Sequence, residues 1–229
     1  MNSFASAKTL VALPFSPLAE DLYSRVFDAI LEQRLQASSR FTEDSLAQLF
    51  GARRSEIRGV LMQLSHQQII VLRTQHRPRV ALLDSEQTRQ TLHARRLSET
   101  MVLQLACQQS RLQNLERLRG LIDSERRCTT RGAAIRLAGM FHLQLAEMAG
   151  NAPMTHFLGS LVPLTSLAIA QFDVSAEGYC DWRVHAGILE AVERGDAVSA
   201  VTLLNRHLDE LEEVLLNSGP RLSRNRVAS

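Results

Sequence analysis

The sequence predicts a mainly α protein: an N-terminal winged helix-turn-helix with a small β-hairpin wing, then an all-α antiparallel bundle of about six helices. Three observations carry this expectation. Apolar residues recur at helical spacing through most of the 229 residues. Two short β-like runs stand close together in the first third of the chain, and none stands out after Asp84. Basic residues also gather there: residues 1–82 hold 10 basic and 7 acidic side chains, whereas residues 83–229 hold 16 and 17.

Four segments follow from these patterns: a tail (1–17), the winged domain (18–83), a helical domain (84–218) and a polar C-terminal tail (219–229). The first helix is expected from about Leu18 to Arg34, with Leu22, Val26, Ile30 and Leu31 on one face. Thr42 is placed to cap a short second helix, with Glu43 and Asp44 in its first turn, where the helix dipole favours negative charge. Leu46, Ala47, Leu49 and Phe50 form its stripe, and Gly51 stops it. A third helix buries Ile57, Val60, Leu61 and Leu64. The runs 69–73 and 79–82 then flank Thr74–Pro78, the composition of a hairpin tip. Beyond Asp84, segments 85–107, 111–127, 131–149, 153–172, 177–194 and 196–217 all read as helices. Gly150-Asn151 and Gly195-Asp196 separate neighbours, with Asp196 as an N-cap.

Composition excludes several classes. Hydrophobic residues make up 45% and charged residues 22%, which argues against a disordered chain. No uninterrupted apolar run reaches ~18 residues, so no membrane span is expected, and no cleavable leader is evident before Pro14. Cys107, Cys128 and Cys180 are an odd, scattered set that suits a reducing compartment rather than a disulfide framework. The expectation is a soluble, cytoplasmic protein.

Arg53, Arg54, Arg58, Arg73, Arg77 and Arg79 lie against one acid, Glu56. Such a local excess suits a phosphate-binding face, although a solvated Arg-rich surface has the same composition. On the third helix Arg53, Arg54, Ser55 and Arg58 fall on the side opposite the apolar stripe. Arg reads guanine bidentately or holds phosphate, and Ser does either more weakly. Arg73, His76 and Arg77 at the hairpin tip are placed for the DNA backbone.

At these residues the chain resembles the GntR family of bacterial transcription regulators. The similarity runs through Leu46-Ala47-x-Leu49-Phe50-Gly51-Ala52-Arg53-Arg54-Ser55-Glu56-Ile57-Arg58-Gly59-Val60-Leu61-x-x-Leu64, with Tyr23-x-x-Val26-x-x-Ala29-Ile30 upstream. The resemblance places Arg54 and Arg58 on the family's two DNA-contacting arginines and Ser55 on its small hydroxyl residue. Glu56 stands where the family has Pro, Gly59 replaces an acid, and the wing lacks the usual Gly.

Residues 84–217 resemble the FCD effector domain of the FadR branch. The motifs are Arg95-x-x-x-Glu99, Phe141-His142, Gly150-Asn151, His185, Ile188-Leu189-x-Ala191, Gly195-Asp196 and His207-Leu208. The resemblance implies a dimeric regulator, a repressor of a two-fold DNA operator, controlled by a small organic acid in the helical domain. Arg95, Asn151 and Trp182 are the expected effector contacts. Arg95 also has Glu99 one turn away as an ion-pair partner. Trp182 with Tyr179 either walls the pocket or packs a helix start. The resemblance further implies a divalent metal, zinc or nickel, on His142, His185 and His207. The family's aspartate ligand is Ala138 here, so the expected site has three neutral imidazoles and no protein anion, and a weakened affinity. Three separately packed core histidines are the alternative. His66, His76 and His93 read as surface groups and His156 as structural. A metal-dependent enzyme on the bundle, or an interaction module with an Arg-rich face, are the other function classes. No phosphate loop, nucleophile triad or carboxylate pair near the histidines supports catalysis, so no catalytic residue is assigned.

Overall fold

The computed structural model describes residues 21–109, 112–172 and 182–217. Both expected tails, the start of the first helix (18–20), residues 177–181, Tyr179 and Cys180 lie outside the described residues.

Helix α1 (Leu22–Leu31) begins on Asp21, whose Oδ1 accepts the Ser24 N–H at 2.8 Å. It ends three residues before the expected Arg34. Gln33 takes a left-handed φ of 61°, and the N–H groups of Arg34 and Leu35 both turn back to the Ala29 carbonyl. That closure satisfies carbonyls which the helix end would otherwise leave unpaired. Helix α2 (Glu43–Phe50) has the expected Thr42 cap: Thr42 Oγ1 accepts from Ser45 N–H, and Ser45 Oγ accepts from Thr42 N–H. Gly51 closes it at φ 61°, a conformation that costs glycine little. Helix α3 (Arg54–His66) buries Ile57, Leu61 and Leu64, while Val60 is half-buried.

The wing is smaller than the sequence suggests. Strands β1 (Ile70–Val71) and β2 (Arg79–Val80) pair antiparallel, Ile70 opposite Val80. The expected runs of 69–73 and 79–82 shorten because the register next sets Leu72 opposite Pro78, which has no N–H to donate to a ladder.

The six remaining helices match the six expected segments: α4 (Ser85–Gln109), α5 (Leu112–Arg127), α6 (Arg131–Met148), α7 (Ala152–Gln171), α8 (Trp182–Glu193) and α9 (Ala197–Asn217). Gly150 and Gly195 adopt φ of 68° and 69°, and Asp196 Oδ1 accepts the Ser199 N–H at 3.0 Å. Helix α7 is long and apolar enough to span a membrane by length and composition, although it holds no uninterrupted apolar run of that length. Half of that stretch is buried inside the protein, where Leu158, Val162, Leu167 and Ala168 form part of the core. Helix α4 packs on α6, α7 and α9, while α5 lies against α6 and α8.

The winged part is docked on the bundle through α1, which packs on α6 and α7. Arg136 of α6 clamps Asp28 of α1 with two bonds, Nε to Oδ1 at 2.7 Å and Nη2 to Oδ2 at 2.9 Å. Gly132 makes the close approach possible, since a Cβ there would lie 2.7 Å from Glu32 Cγ and 2.8 Å from the Asp28 carbonyl oxygen. Gln171 adds a polar strap, donating to the Ala81 carbonyl and accepting the Leu83 N–H.

Candidate functional site

Helix α3 and the wing form the two sides of an open groove, lined by Thr42, Glu43, Arg58, Met62, Arg73 and the tip Thr74–Pro78. Arg53, Arg54, Ser55 and Arg58 are all exposed, as are Arg73, His76 and Arg77. The structure brings Arg58, Arg73, His76 and Arg77 together on the groove, while Arg53, Arg54 and Ser55 are exposed at the start of α3 outside its lining. Glu56 takes over the start of the helix: its Oε2 accepts the Arg53 N–H at 2.7 Å, a cap that a proline at this position cannot provide. Gln75 occupies the wing tip with φ 62°, and His76 Nδ1 lies 3.1 Å from the Thr74 carbonyl oxygen.

Sequence reasoning missed the groove's central acid. Glu43 Oε2 accepts from Arg54 Nε at 2.8 Å and from Arg58 Nη2 at 2.7 Å, and Oε1 accepts from Arg58 Nε at 3.0 Å. These bonds hold the Glu43 carboxyl down at about 2, with Arg58 the larger cause and Arg54 the next.

The second cluster lies in the bundle core. His142 (α6), His185 (α8) and His207 (α9) are all buried, and their nearest ligand atoms lie within 4.8 Å of one another. Ring centroids are 5.2 to 5.6 Å apart, so the imidazoles surround a common point. Local sequence explains each position: His142 follows Phe141 on a stripe with Leu145 and Ala146, and His185 stacks on Phe141 at 4.4 Å.

Two carboxylates stand directly behind the histidines, which corrects the expectation that no carboxylate pair lies near them, while the ligand group itself remains three imidazoles. Glu99 Oε2 lies 2.6 Å from His142 Nδ1, and Glu125 Oε2 lies 2.8 Å from His185 Nδ1. Glu99 also accepts from Arg95 Nε at 2.6 Å through Oε1, so the predicted i,i+4 pair exists, fully inside the bundle. Burial alone pushes the Glu99 carboxyl up, but Arg95 and His142 outweigh it and hold the group well below the usual carboxylate range. Burial pushes His142 and His207 down, His207 the further, while the Glu99 carboxylate works against burial at His142. In the tautomer that donates from Nδ1 to Glu99, His142 presents the Nε2 lone pair that a metal ion needs. Three imidazole nitrogens within that span suit one first-row dication at bond lengths of ~2.0–2.1 Å after small side-chain adjustment. Ala138 is buried on α6, one turn before His142, and supplies no ligand.

A family model described as the FCD domain matches residues 90–210, more than half of the chain. The chain belongs to the FCD-domain family.

Solved structures share the fold of this FCD protein. Escherichia coli McbR/YncC superimposes with a TM-score of 0.68 at 13% identity, covering 85% of this chain and 95% of the other. A GntR transcriptional regulator from Rhodococcus sp. RHA1 gives 0.69 at 16%, covering 86% and 96%. A GntR-family regulator from Pseudomonas syringae pv. tomato str. DC3000 gives 0.52 at 24%, covering 86% and 85%. No curated protein matches the chain.

The expected effector residues of this FCD protein fall in different settings. Arg95 is buried beside Glu99, and its Nη2 has no hydrogen-bond partner among the described residues. Asn151 caps α7, its Oδ1 accepting the Met154 N–H at 3.3 Å. Trp182 opens α8 one turn before His185 and packs against the guanidinium groups of Arg126 and Arg183. Glu125 carried no sequence signal: it meets His185 across 60 residues, and its other oxygen, Oε1, is buried without a partner among the described residues.

Proposed function

We propose that this FCD protein is a DNA-binding transcriptional regulator, a repressor that binds an inverted-repeat operator as a homodimer and answers to a small organic acid. The observation that carries the reading is the groove between α3 and the wing. Arg58 in the groove, with exposed Arg54 and Ser55 on the same helix, is assigned to base edges, and Arg53, Arg73, His76 and Arg77 to phosphates. Exposed Leu97 and Met101, one turn apart on α4, support a dimer formed by the helical domain. We assign residues 18–83 to DNA and 84–218 to effector and dimer contacts.

His142, His185 and His207 would hold a divalent ion, zinc or nickel, which when bound offers an open position for an acid oxygen. Arg95 supplies what a carboxylate needs, a buried guanidinium nitrogen without a partner. Glu99 and Glu125 orient two of the three imidazoles and place negative charge beside the site, easing the absence of an aspartate at Ala138. Trp182 and Asn151 complete the proposed effector set. Helix α6 gives a route to the DNA face, because it carries His142 and, at Arg136, the clamp on Asp28. An acid shifts the winged domains only by binding one arrangement better than the other.

The test is a mobility shift of the full chain on DNA flanking its own gene, repeated over a salt series. The reading expects a discrete complex whose affinity falls steeply with salt and drops in Arg54→Ala and Arg58→Ala. Wild-type affinity in both variants overturns the assignment of α3.

A further inference from the structure

The Glu43 carboxylate sits at the first turn of α2, yet its partners are the two arginines of the neighbouring helix. We infer that Glu43 is a positioning residue that fixes Arg54 and Arg58 in a base-reading posture, so that it sets sequence discrimination without touching DNA. This rests on the DNA-binding reading above.

The geometry of the donors argues for positioning. A guanidinium has five N–H donors. Glu43 takes two from Arg58, at Nε and Nη2, leaving Nη1 and the outer Nη2 hydrogen, the end-on edge that matches guanine O6 and N7. From Arg54 it takes Nε, while Asp44 lies 3.4 Å from Nη1, so Nη2 is open. Both arginines are more than half exposed, whereas Glu43, which lines the groove with Arg58, is only 23% exposed, so the guanidinium groups are the more accessible partners.

Electrostatics point the same way. Two cations one turn apart on one helix face repel, and the Glu43 carboxylate offsets this, being the first cause that pushes both guanidinium groups up. A shared carboxylate removes that repulsion and holds two long side chains in one arrangement before DNA arrives, which lowers the ordering cost of binding. Its charge also repels phosphates, so Glu43 opposes sequence-blind binding while it favours the correct bases.

Two consequences separate this role from a surface ion pair and from a brake that DNA must displace. Loss of Glu43 strengthens non-specific binding and weakens discrimination together. Loss of Asp44, an acid of equal charge on the same turn that holds neither Nε, strengthens non-specific binding alone.

The experiment selects binding duplexes from a randomised DNA pool with the full-length wild-type chain. Affinities are then measured at fixed salt for the selected duplex and for copies with single guanines replaced. Glu43→Gln and Glu43→Ala are expected to cut the ratio of these affinities by about 10-fold or more and to tighten binding to an unrelated duplex. Asp44→Asn is expected to tighten the unrelated duplex while keeping the ratio. Circular dichroism confirms that the variants are folded, and Glu43→Gln keeps an oxygen acceptor should Glu43→Ala unfold. An unchanged or increased ratio in folded Glu43→Gln overturns the inference while the regulator reading stands. A pool from which the wild-type chain recovers no motif overturns the regulator reading, and the inference with it.

Discussion

Removing the Arg136 side chain tests how firmly the winged part is tied to the bundle. Arg136 and Asp28 are 12% and 10% exposed and joined by two short bonds, so the pair is nearly enclosed. An exposed pair contributes ~0–1 kcal/mol, whereas stripping one partner from a buried pair costs ~3–5 kcal/mol because the other charge is stranded. Discounting for the remaining exposure and for the other interactions that Asp28 keeps, Arg136→Ala is expected to cost about 1–3 kcal/mol. Asp28→Ala should cost less, since the longer guanidinium stem can swing its charge towards water. Urea unfolding of the full chain, followed by both circular dichroism and Trp182 fluorescence, measures the loss and exposes any separation into two transitions. The double variant closes a cycle that isolates the pair from its other neighbours, with a coupling expected at about 1–3 kcal/mol. Single variants within about 0.5 kcal/mol of wild type, and additive in combination, would refute the view that this pair locks the two parts together.

Three further predictions address other parts of the molecule. Tyr23 donates to Gln67 Oε1 at 2.7 Å, and its hydroxyl is pushed up from 10 to about 12, mainly by burial. Below pH 10 both states keep the proton; between 10 and 12 the unfolded chain loses it first, so stability should fall by up to about 2–3 kcal/mol across that window. Tyr23→Phe should flatten this slope in alkaline denaturation, and an unchanged slope would disprove it. Gly132→Ala forces a methyl into Glu32 and the Asp28 carbonyl and should cost about 1–3 kcal/mol, whereas Gly120→Ala on open α5 surface should gain about 0.5–1 kcal/mol. Equal thermal shifts of the two variants would contradict the packing argument. Calorimetric titration with zinc should show roughly 10- to 100-fold weaker binding in Glu125→Gln, none in His207→Ala and tighter binding in Ala138→Asp. Unchanged affinity in Glu125→Gln would deny that carboxylate a part in orienting His185.

The sequence by itself determined the helices, their stops and the arginine-rich face. These depend on short-range signals: the apolar period of α3, the Thr42 cap, the glycines at 51, 150 and 195, and the acid at 196 that caps α9. Each is satisfied within a turn or two of chain, so neighbouring residues suffice to read it. Where a local signal competed with backbone satisfaction, the sequence reading slipped. Gln33 ends α1 early by accepting a left-handed φ, and the wing ladder stops short of its apolar runs. The resemblance named three histidines, but only packing sets them around one point and brings Glu99 and Glu125 behind two of them, across 43 and 60 residues. Packing likewise decided that Glu43, which looks like an ordinary first-turn acid, spends its charge on the arginines of the next helix. Carboxylate and guanidinium partners carry no periodicity and no fixed spacing. Their pairing is decided by which helix faces meet and by the need to neutralise a charge that burial or crowding makes costly.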